Sequence, residues 1–108
     1  MSLPPPATGG WHDVAAEADV PEGCGLPVRV GEKPVGLFRS DGRLFATENI
    51  CPHRGGTLSD GLVRGGTVIC PLHAWQFRLA DGANLDQGPG LCTFEVRLEG
   101  GRVQVRVE

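Results

Sequence analysis

The chain of 108 residues has no tyrosine, a single methionine and no run of lysines or arginines. Its formal net charge is -3, so it lacks the clustered basic side chains that neutralise nucleic-acid phosphates, and nucleic-acid binding is not expected. No segment approaches the roughly 20 apolar residues of a membrane-spanning helix. The first ten residues, MSLPPPATGG, lack the basic start and apolar stretch of a secretory signal, and they are predicted to form a flexible tail.

These absences predict a cytoplasmic protein with a single folded domain at 11–108. The length fits one domain, and 40% hydrophobic with 21% charged residues is an ordinary globular composition. The sequence shows no internal repeat and no linker. Disulfides are rare in a reducing cytosol, so the four cysteines are interpreted as thiols, and cysteines accompanied by histidines favour a metal site.

Short alternating segments predict an all-β fold. Glycine (17) and proline (9) separate the apolar stretches, which is typical of short strands joined by tight turns. CTFEVRL (92–98) and RVQVRV (102–107) alternate, which predicts inward side chains at Cys92, Phe94, Val96, Leu98, Val103, Val105 and Val107. Further strands are predicted at 27–30, 35–39, 43–47, 67–70 and 75–79, with turns at SDG (40–42), ADG (80–82) and EGG (99–101). Only HDVAAEA (12–18) could begin a helical turn.

Two motifs pair cysteine with histidine in loops rich in glycine or proline. CPHRGG places Cys51 and His53 one residue apart, and ICPLH places Cys70 and His73 with two residues between them. Structural zinc sites usually bring two cysteines from one loop and two histidines from another. Here each loop supplies one cysteine and one histidine. This division favours a site with two metal ions, in which one iron is bound by both cysteines and the other by both histidines. That is the ligand arrangement of a Rieske [2Fe–2S] cluster, with zinc as the rival.

The longer stretch CPHRGGTLSDGLVRGGTVICPLHAWQF resembles the cluster-binding region of Rieske proteins. The resemblance extends over nearly the whole chain and implies a fold of three stacked antiparallel β-sheets. It also implies that Cys51 and Cys70 bind the inner iron, while His53 and His73 bind the outer iron close to solvent.

The residues around the motifs make physical sense in that fold. Gly55 and Gly56 would let backbone N–H groups approach the cluster, because no Cβ intrudes. Leu72, Trp75 and Phe77 would form an apolar cover over the cluster, although Trp75 and Phe77 could also be plain strand core. Arg54 and Arg64 are expected to flank the cluster, facing either carboxylates of a partner or solvent.

The sequence also predicts the type of Rieske protein. High-potential Rieske proteins resemble this chain in their ligands, but they add a cysteine to each loop and carry a serine and a tyrosine that donate to the cluster. This chain has neither extra cysteine, no serine after His73 and no tyrosine. A low-potential, soluble type without a membrane anchor is predicted. Cys92 is expected in the core, Cys24 in a loop and His12 exposed.

Electron transfer is the function that the resemblance implies. The sequence contains no nucleophile–base pair, paired carboxylates or phosphate-binding loop, so no catalytic site of its own is expected. VGLFRSDGRLFATENICPHRGG and VRLEGGRVQV look most like the small subunit of NAD(P)H-dependent nitrite reductase, whose large flavin and siroheme subunit would be the redox partner.

Two alternatives stay open. A ferredoxin of an aromatic-ring dioxygenase has the same size and the same two loops, although such ferredoxins more often carry CTH and CPLHxGxF. A zinc-stabilised interaction module would use the same four ligands without any redox role.

Overall fold

The structure, a computed structural model, describes residues 11–51, 56–71 and 75–106. Within these ranges it contains nine strands: β1 Trp11–Ala16, β2 Gly25–Val30, β3 Lys33–Ser40, β4 Arg43–Glu48, β5 Leu62–Arg64, β6 Thr67–Ile69, β7 Gln76–Arg78, β8 Thr93–Glu99 and β9 Arg102–Arg106. Short 3₁₀ helices span Glu17–Asp19 and Leu58–Asp60. Among the described residues, no helix is long and apolar enough to cross a membrane. The predicted tail at 1–10 lies outside them.

The strands form two antiparallel sheets. One has six strands in the order β1-β9-β8-β4-β3-β2, and the other has the order β5-β6-β7. Strand β8 joins two halves of the larger sheet, because Thr93 and Phe94 pair with β4 while Glu95–Glu99 pair with β9. The large sheet therefore consists of two three-stranded layers that meet at β8. The predicted all-β fold with three antiparallel sheets is confirmed, since these two layers and the small sheet make three. Two of the three sheets are continuous with each other through β8.

Strand β3 lies between two apolar cores. Val35 and Leu37 pack in one core with Val103 and Val105 of β9. Phe38 packs in the other core, which contains the inner face of the small sheet. Because side chains alternate along a strand, β3 supplies a fully buried residue to each core in succession. The second core lies beside the loops that carry the cysteine–histidine motifs.

The tight turns follow the predicted chemistry. Asp41 and Gly42 between β3 and β4 have φ values of 54° and 77°, and Gly100 and Gly101 between β8 and β9 have 58° and 80°. Two consecutive residues with positive φ define the two-residue hairpin whose twist matches that of the flanking strands. Both turns thus fix the register of their hairpins.

The predicted helical turn at 12–18 is wrong for most of its length. Residues Trp11–Ala16 form strand β1, which pairs with β9 from Trp11↔Arg106 to Ala16↔Arg102, and only Glu17–Asp19 turn as a 3₁₀ helix. Pairing with a strand some ninety residues away overrides the local helix propensity of an alanine-rich segment. His12, expected to be exposed, is half-buried opposite Val105.

The expected inward face of β8 is only partly correct. Phe94 and Val96 pack against a core, but Leu98 is 46% exposed and Cys92, which precedes the strand, is exposed. Strand β8 leaves β4 after Phe94, and Val96 is the last of its apolar side chains that packs on the core. Val107 lies outside the described residues, and β5, with only three residues, was not predicted.

The segment after β7 is held by Asp81. Its carboxylate accepts two hydrogen bonds from the Arg78 guanidinium and one from the Ala83 N–H. The Arg78 hydrogen bond is the main cause that lowers the pKa of Asp81 to about 2. The predicted ADG turn is therefore an ordered corner, and Gly82 has a φ of 76°.

Candidate metal centre

Cys51 and Cys70 are buried in one apolar core. Their exposed fractions are 2% and 1%, and both belong to the core that contains Leu58, Val68 and Phe77. Strand β4 leads to Cys51 through Asn49 and Ile50, and β6 ends one residue before Cys70. The structure therefore brings together the two predicted thiol ligands, although they are nineteen positions apart in the sequence.

Each cysteine closes the base of its loop with the same backbone hydrogen bond. The Cys51 N–H donates to the Gly56 carbonyl at 2.7 Å, and the Cys70 N–H donates to the Trp75 carbonyl at 2.8 Å. In both loops the bond joins residues five positions apart. His53 and His73 lie between these closed ends, in segments outside the described residues. The two loops thus share one construction, with a buried thiol at the base and a histidine further along.

The first loop is anchored by Asn49 and Ser59, which are buried. The Asn49 Nδ2 donates to Ser59 Oγ at 2.9 Å, and the Ser59 N–H donates to Asn49 Oδ1 at 2.8 Å. The Leu58 N–H also donates to the Asn49 carbonyl at 2.9 Å. Three hydrogen bonds therefore join the residues just before Cys51 to the 3₁₀ helix just after Gly56. This pair was not predicted, because nothing in the sequence links an asparagine to a serine ten positions away.

Replacing Asn49 by alanine should destabilise the domain and loosen the first loop. The change leaves the buried Ser59 N–H without its acceptor, which costs about 1–3 kcal/mol. In a domain of this size that corresponds to a fall in Tm of roughly 4–20 °C, which thermal unfolding would measure. Ser59→Ala is the matched control, since it removes only the side-chain bond and should have a smaller effect. Equal stability of Asn49→Ala and the wild type would contradict the anchoring role.

Trp75, which follows the second loop, packs between the core and the segment after β7. Trp75 packs on the core and makes an edge contact with Phe77, with ring centroids 6.2 Å apart. A Cβ at Gly88 would lie 2.6 Å from Trp75 Cη2, so this glycine lets the segment lie close against the ring. The Gln76 N–H donates a hydrogen bond to Asp86 Oδ2, with 2.7 Å between the nitrogen and the oxygen. Trp75 is therefore half-buried against the core that contains both cysteines, its role as an apolar cover of the cluster stays a prediction, and the fully buried Phe77 is strand core.

The structure places Arg64 away from the loops. Arg64 pairs with Thr67 at the turn between β5 and β6, whereas Leu62 pairs with Ile69 beside Cys70. The expectation that Arg64 flanks the cluster is wrong, because the short hairpin sends its charged end in the opposite direction. Arg54 lies outside the described residues.

All four cysteines lie in the described residues, and none of them is in a disulfide. Cys24 and Cys92 are exposed, so Cys92 is not the core residue that its alternation predicted. In the part of the chain that the structure describes, no group of three or more His, Cys, Asp or Glu side chains could hold a metal ion. A complete site therefore needs ligands from the two loop segments.

The described residues fit a [2Fe–2S] cluster with two thiolate ligands. Both thiols are buried in apolar surroundings at the bases of adjacent loops, and a histidine lies in each loop segment. Cysteine and histidine from each of two loops are the donor set of a cluster with two cysteines on one iron and two histidines on the other.

Comparisons with known proteins agree with this chemistry. The profile of the Rieske [2Fe–2S] domain family matches residues 10–95. A curated relative, the ferredoxin component of the naphthalene 1,2-dioxygenase/salicylate 5-hydroxylase systems from Ralstonia, is 34% identical over 94% of this chain and 99% of its own length.

Two solved structures have the same fold. The first is a complex of reduced oxygenase and oxidised ferredoxin in carbazole 1,9a-dioxygenase, of which one chain gives a TM-score of 0.82 at 31% identity over 92% of this chain and 94% of that one. The second, described as a small subunit of an NADH-dependent nitrite reductase from Mycobacterium tuberculosis, gives a TM-score of 0.81 at 32% identity over 91% of this chain and 96% of its own.

Proposed function

The chain belongs to the Rieske [2Fe–2S] domain family, and on that basis we propose that it is the ferredoxin component of an oxygenase system, which passes single electrons from a reductase to a terminal oxygenase. Family membership makes it a ferredoxin-type Rieske electron carrier with a [2Fe–2S] cluster. The identities of its electron donor, a reductase, and its acceptor, a terminal oxygenase, are what we propose.

The observation that carries this proposal is the match over the full length to ferredoxin components. The match extends over 99% of the relative from Ralstonia and 94% of this chain, so this chain resembles a whole carrier protein. A ferredoxin component of an alkene monooxygenase system from Xanthobacter autotrophicus is 36% identical over 91% of this chain. Oxygenase systems of more than one kind thus include a carrier with a related sequence.

The nitrite reductase small subunit is the second candidate. The structural likeness to the protein from Mycobacterium tuberculosis favours it, with almost the same TM-score as the oxygenase ferredoxin. The sequence favours this candidate through segments such as VGLFRSDGRLFATENICPHRGG and VRLEGGRVQV. We rank the oxygenase ferredoxins first because the curated relatives that are 34% and 36% identical to this chain are ferredoxin components of oxygenase systems.

We propose Cys51, His53, Cys70 and His73 as the ligands of the cluster. The two buried thiols would bind the inner iron, and the histidines of the two loops would bind the outer iron. When bound, the cluster supplies a one-electron couple, in the Rieske range of about -150 to +300 mV. The chain's own residues hold the loops through the Cys51 and Cys70 N–H bonds and limit water with Trp75. The absence of tyrosine supports a low potential.

We place the protein in the cytoplasm. Cys24 and Cys92 are exposed and are not joined in a disulfide. A reducing compartment preserves such thiols, whereas an oxidising one exposes them to pairing between chains.

Reconstitution with candidate partners tests the proposed function. The purified holoprotein is combined with NADH, a flavin reductase and either the terminal oxygenase of a naphthalene 1,2-dioxygenase system or the large subunit of a siroheme nitrite reductase. We expect substrate-dependent NADH consumption by the oxygenase to rise in proportion to the holoprotein, and to stay at background with apoprotein. Stimulation of nitrite reduction, without any effect on the oxygenase, would establish the second candidate instead.

A further inference from the structure

Exposed aliphatic side chains are concentrated at the end of the molecule that carries the two cysteine loops. Among the described residues, four large apolar side chains are exposed: Ile50 at 42%, Leu62 at 55%, Leu85 at 47% and Leu98 at 46%. Ile50 directly precedes Cys51. Leu62 and Leu85 lie in the row of paired residues next to Cys70, and only Leu98 lies elsewhere.

This row crosses the small sheet at Ile69, one residue before Cys70. Leu62 pairs with Ile69, Ile69 pairs with Gln76, and the Leu85 N–H donates to the Gln76 carbonyl at 2.8 Å. Paired residues of adjacent strands project from the same face. Because neighbouring strands lie about 4.8 Å apart, the row from Leu62 to Leu85 spans roughly 14 Å. We call Ile50, Leu62 and Leu85 the apolar collar.

The described residues that flank the two cysteines or lie in this row are themselves uncharged. Uncharged residues occupy every described position beside the cysteines and in this row: Asn49, Ile50, Gly56, Thr57, Leu62, Ile69, Pro71, Trp75, Gln76 and Leu85. The four ion pairs that join described residues lie elsewhere: Arg39–Glu17, Arg78–Asp81, Arg102–Asp13 and Arg106–Glu95.

The neighbouring carboxylates have structural tasks. Glu48 Oε2 accepts the Cys92 N–H at 2.7 Å, and Asp86 Oδ2 accepts the Gln76 N–H at 2.7 Å. The exposed apolar side chains therefore provide area that a partner can bury at this end.

We propose that the apolar collar is the docking surface for the terminal oxygenase, which presents an uncharged, apolar face around its electron acceptor. The inference rests on the proposed function, since the electron leaves at the end where the cluster lies and the partner must cover that end. Burial of the three half-exposed side chains stabilises the complex in proportion to the area removed from water. Salt screens such a contact only weakly, whereas association steered by charge slows steeply as ionic strength rises.

The test compares collar variants with a matched control in the same assay. The probe is the terminal oxygenase of a naphthalene 1,2-dioxygenase system, with reductase and NADH in excess. The triple variant Ile50→Gln/Leu62→Gln/Leu85→Gln should raise the KM for the carrier about tenfold or more, with kcat unchanged. Leu98→Gln, with the same exposure at a distant place, should leave the KM within about twofold of the wild type. Each single collar variant should raise it about two- to fourfold, which keeps the test decisive should the triple variant not fold.

A binding measurement separates docking from turnover. Isothermal titration of the oxidised holoprotein into the oxygenase should give a negative heat-capacity change that becomes smaller in the triple variant, because burial of apolar surface is its source. The wild-type KM should change less than about threefold between roughly 50 mM and 500 mM salt. Visible spectra and iron contents equal to those of the wild type confirm that the variants keep the cluster.

Three results would overturn the inference, and they are distinguishable. If the triple variant keeps the wild-type KM and heat-capacity change, the apolar collar is not the docking surface, while the proposed function stays intact. A steep salt dependence that Arg54→Gln abolishes would assign docking to charge in the first loop. If the wild-type holoprotein passes no electrons to the oxygenase, the proposed function is wrong, and the proposed role of the apolar collar is wrong with it.

Discussion

Replacement of His73 by cysteine is expected to lower the reduction potential by about 100 mV or more while the protein keeps its iron. With two Fe³⁺, two sulfides, two thiolates and two neutral imidazoles, the oxidised site has zero formal charge. A third thiolate makes it negative, so adding an electron becomes less favourable. Clusters with four cysteine ligands lie near -400 mV, well below the Rieske range. His53→Cys should act in the same direction.

Voltammetry and the visible and paramagnetic spectra measure this effect. The third histidine provides the control, because His12 lies half-buried in β1, and His12→Cys should change neither the potential nor the spectrum. An unchanged spectrum in either His53→Cys or His73→Cys would show that the residue is not a ligand.

The second large effect is expected from the cysteines. Cys51→Ser and Cys70→Ser should reduce the bound iron and acid-labile sulfide to background, because each removes one of two buried thiols at the base of a loop. Cys24→Ser and Cys92→Ser remove exposed thiols and should keep the full content. The four variants together divide the cysteines into a buried pair that holds the cluster and an exposed pair that does not.

The folding of the buried variants needs its own check. A serine hydroxyl in the apolar core costs about 1–3 kcal/mol, so a serine variant could lose the cluster by unfolding. Cys51→Ala and Cys70→Ala avoid the buried hydroxyl, and circular dichroism should show their β-structure. Loss of the cluster in Cys92→Ser, with full content in Cys70→Ala, would contradict the ligand assignment.

The sequence predicted the parts of the fold that local chemistry determines. The hairpin turns at Asp41–Gly42 and Gly100–Gly101 need positive φ, and the residues there announce it. Alternation identified β9, whose Val103 and Val105 are fully buried. The two loops were found because cysteine and histidine are rare in this chain and are spaced as ligands.

The parts that the sequence did not predict depend on distant contacts. Strand β1 exists because it pairs with β9, and a helix-prone segment gives no sign of that pairing. Leu98 is exposed although it continues the alternation of Phe94 and Val96, because β8 has left β4 by that point and the core ends at Val96. The direction of Arg64 depends on which end of a three-residue strand faces the loops, and the Asn49–Ser59 anchor joins residues on either side of a loop. Pattern within a short window contains none of this information.

The most direct test of the central claim is the metal and sulfide content of the purified wild-type protein, the reference for the cysteine series. We expect about two iron atoms and about two acid-labile sulfides per chain, a reddish-brown colour and a visible spectrum that dithionite bleaches. A colourless protein that contains zinc and no sulfide would contradict the account, and would make Cys51, His53, Cys70 and His73 the ligands of a structural zinc ion instead.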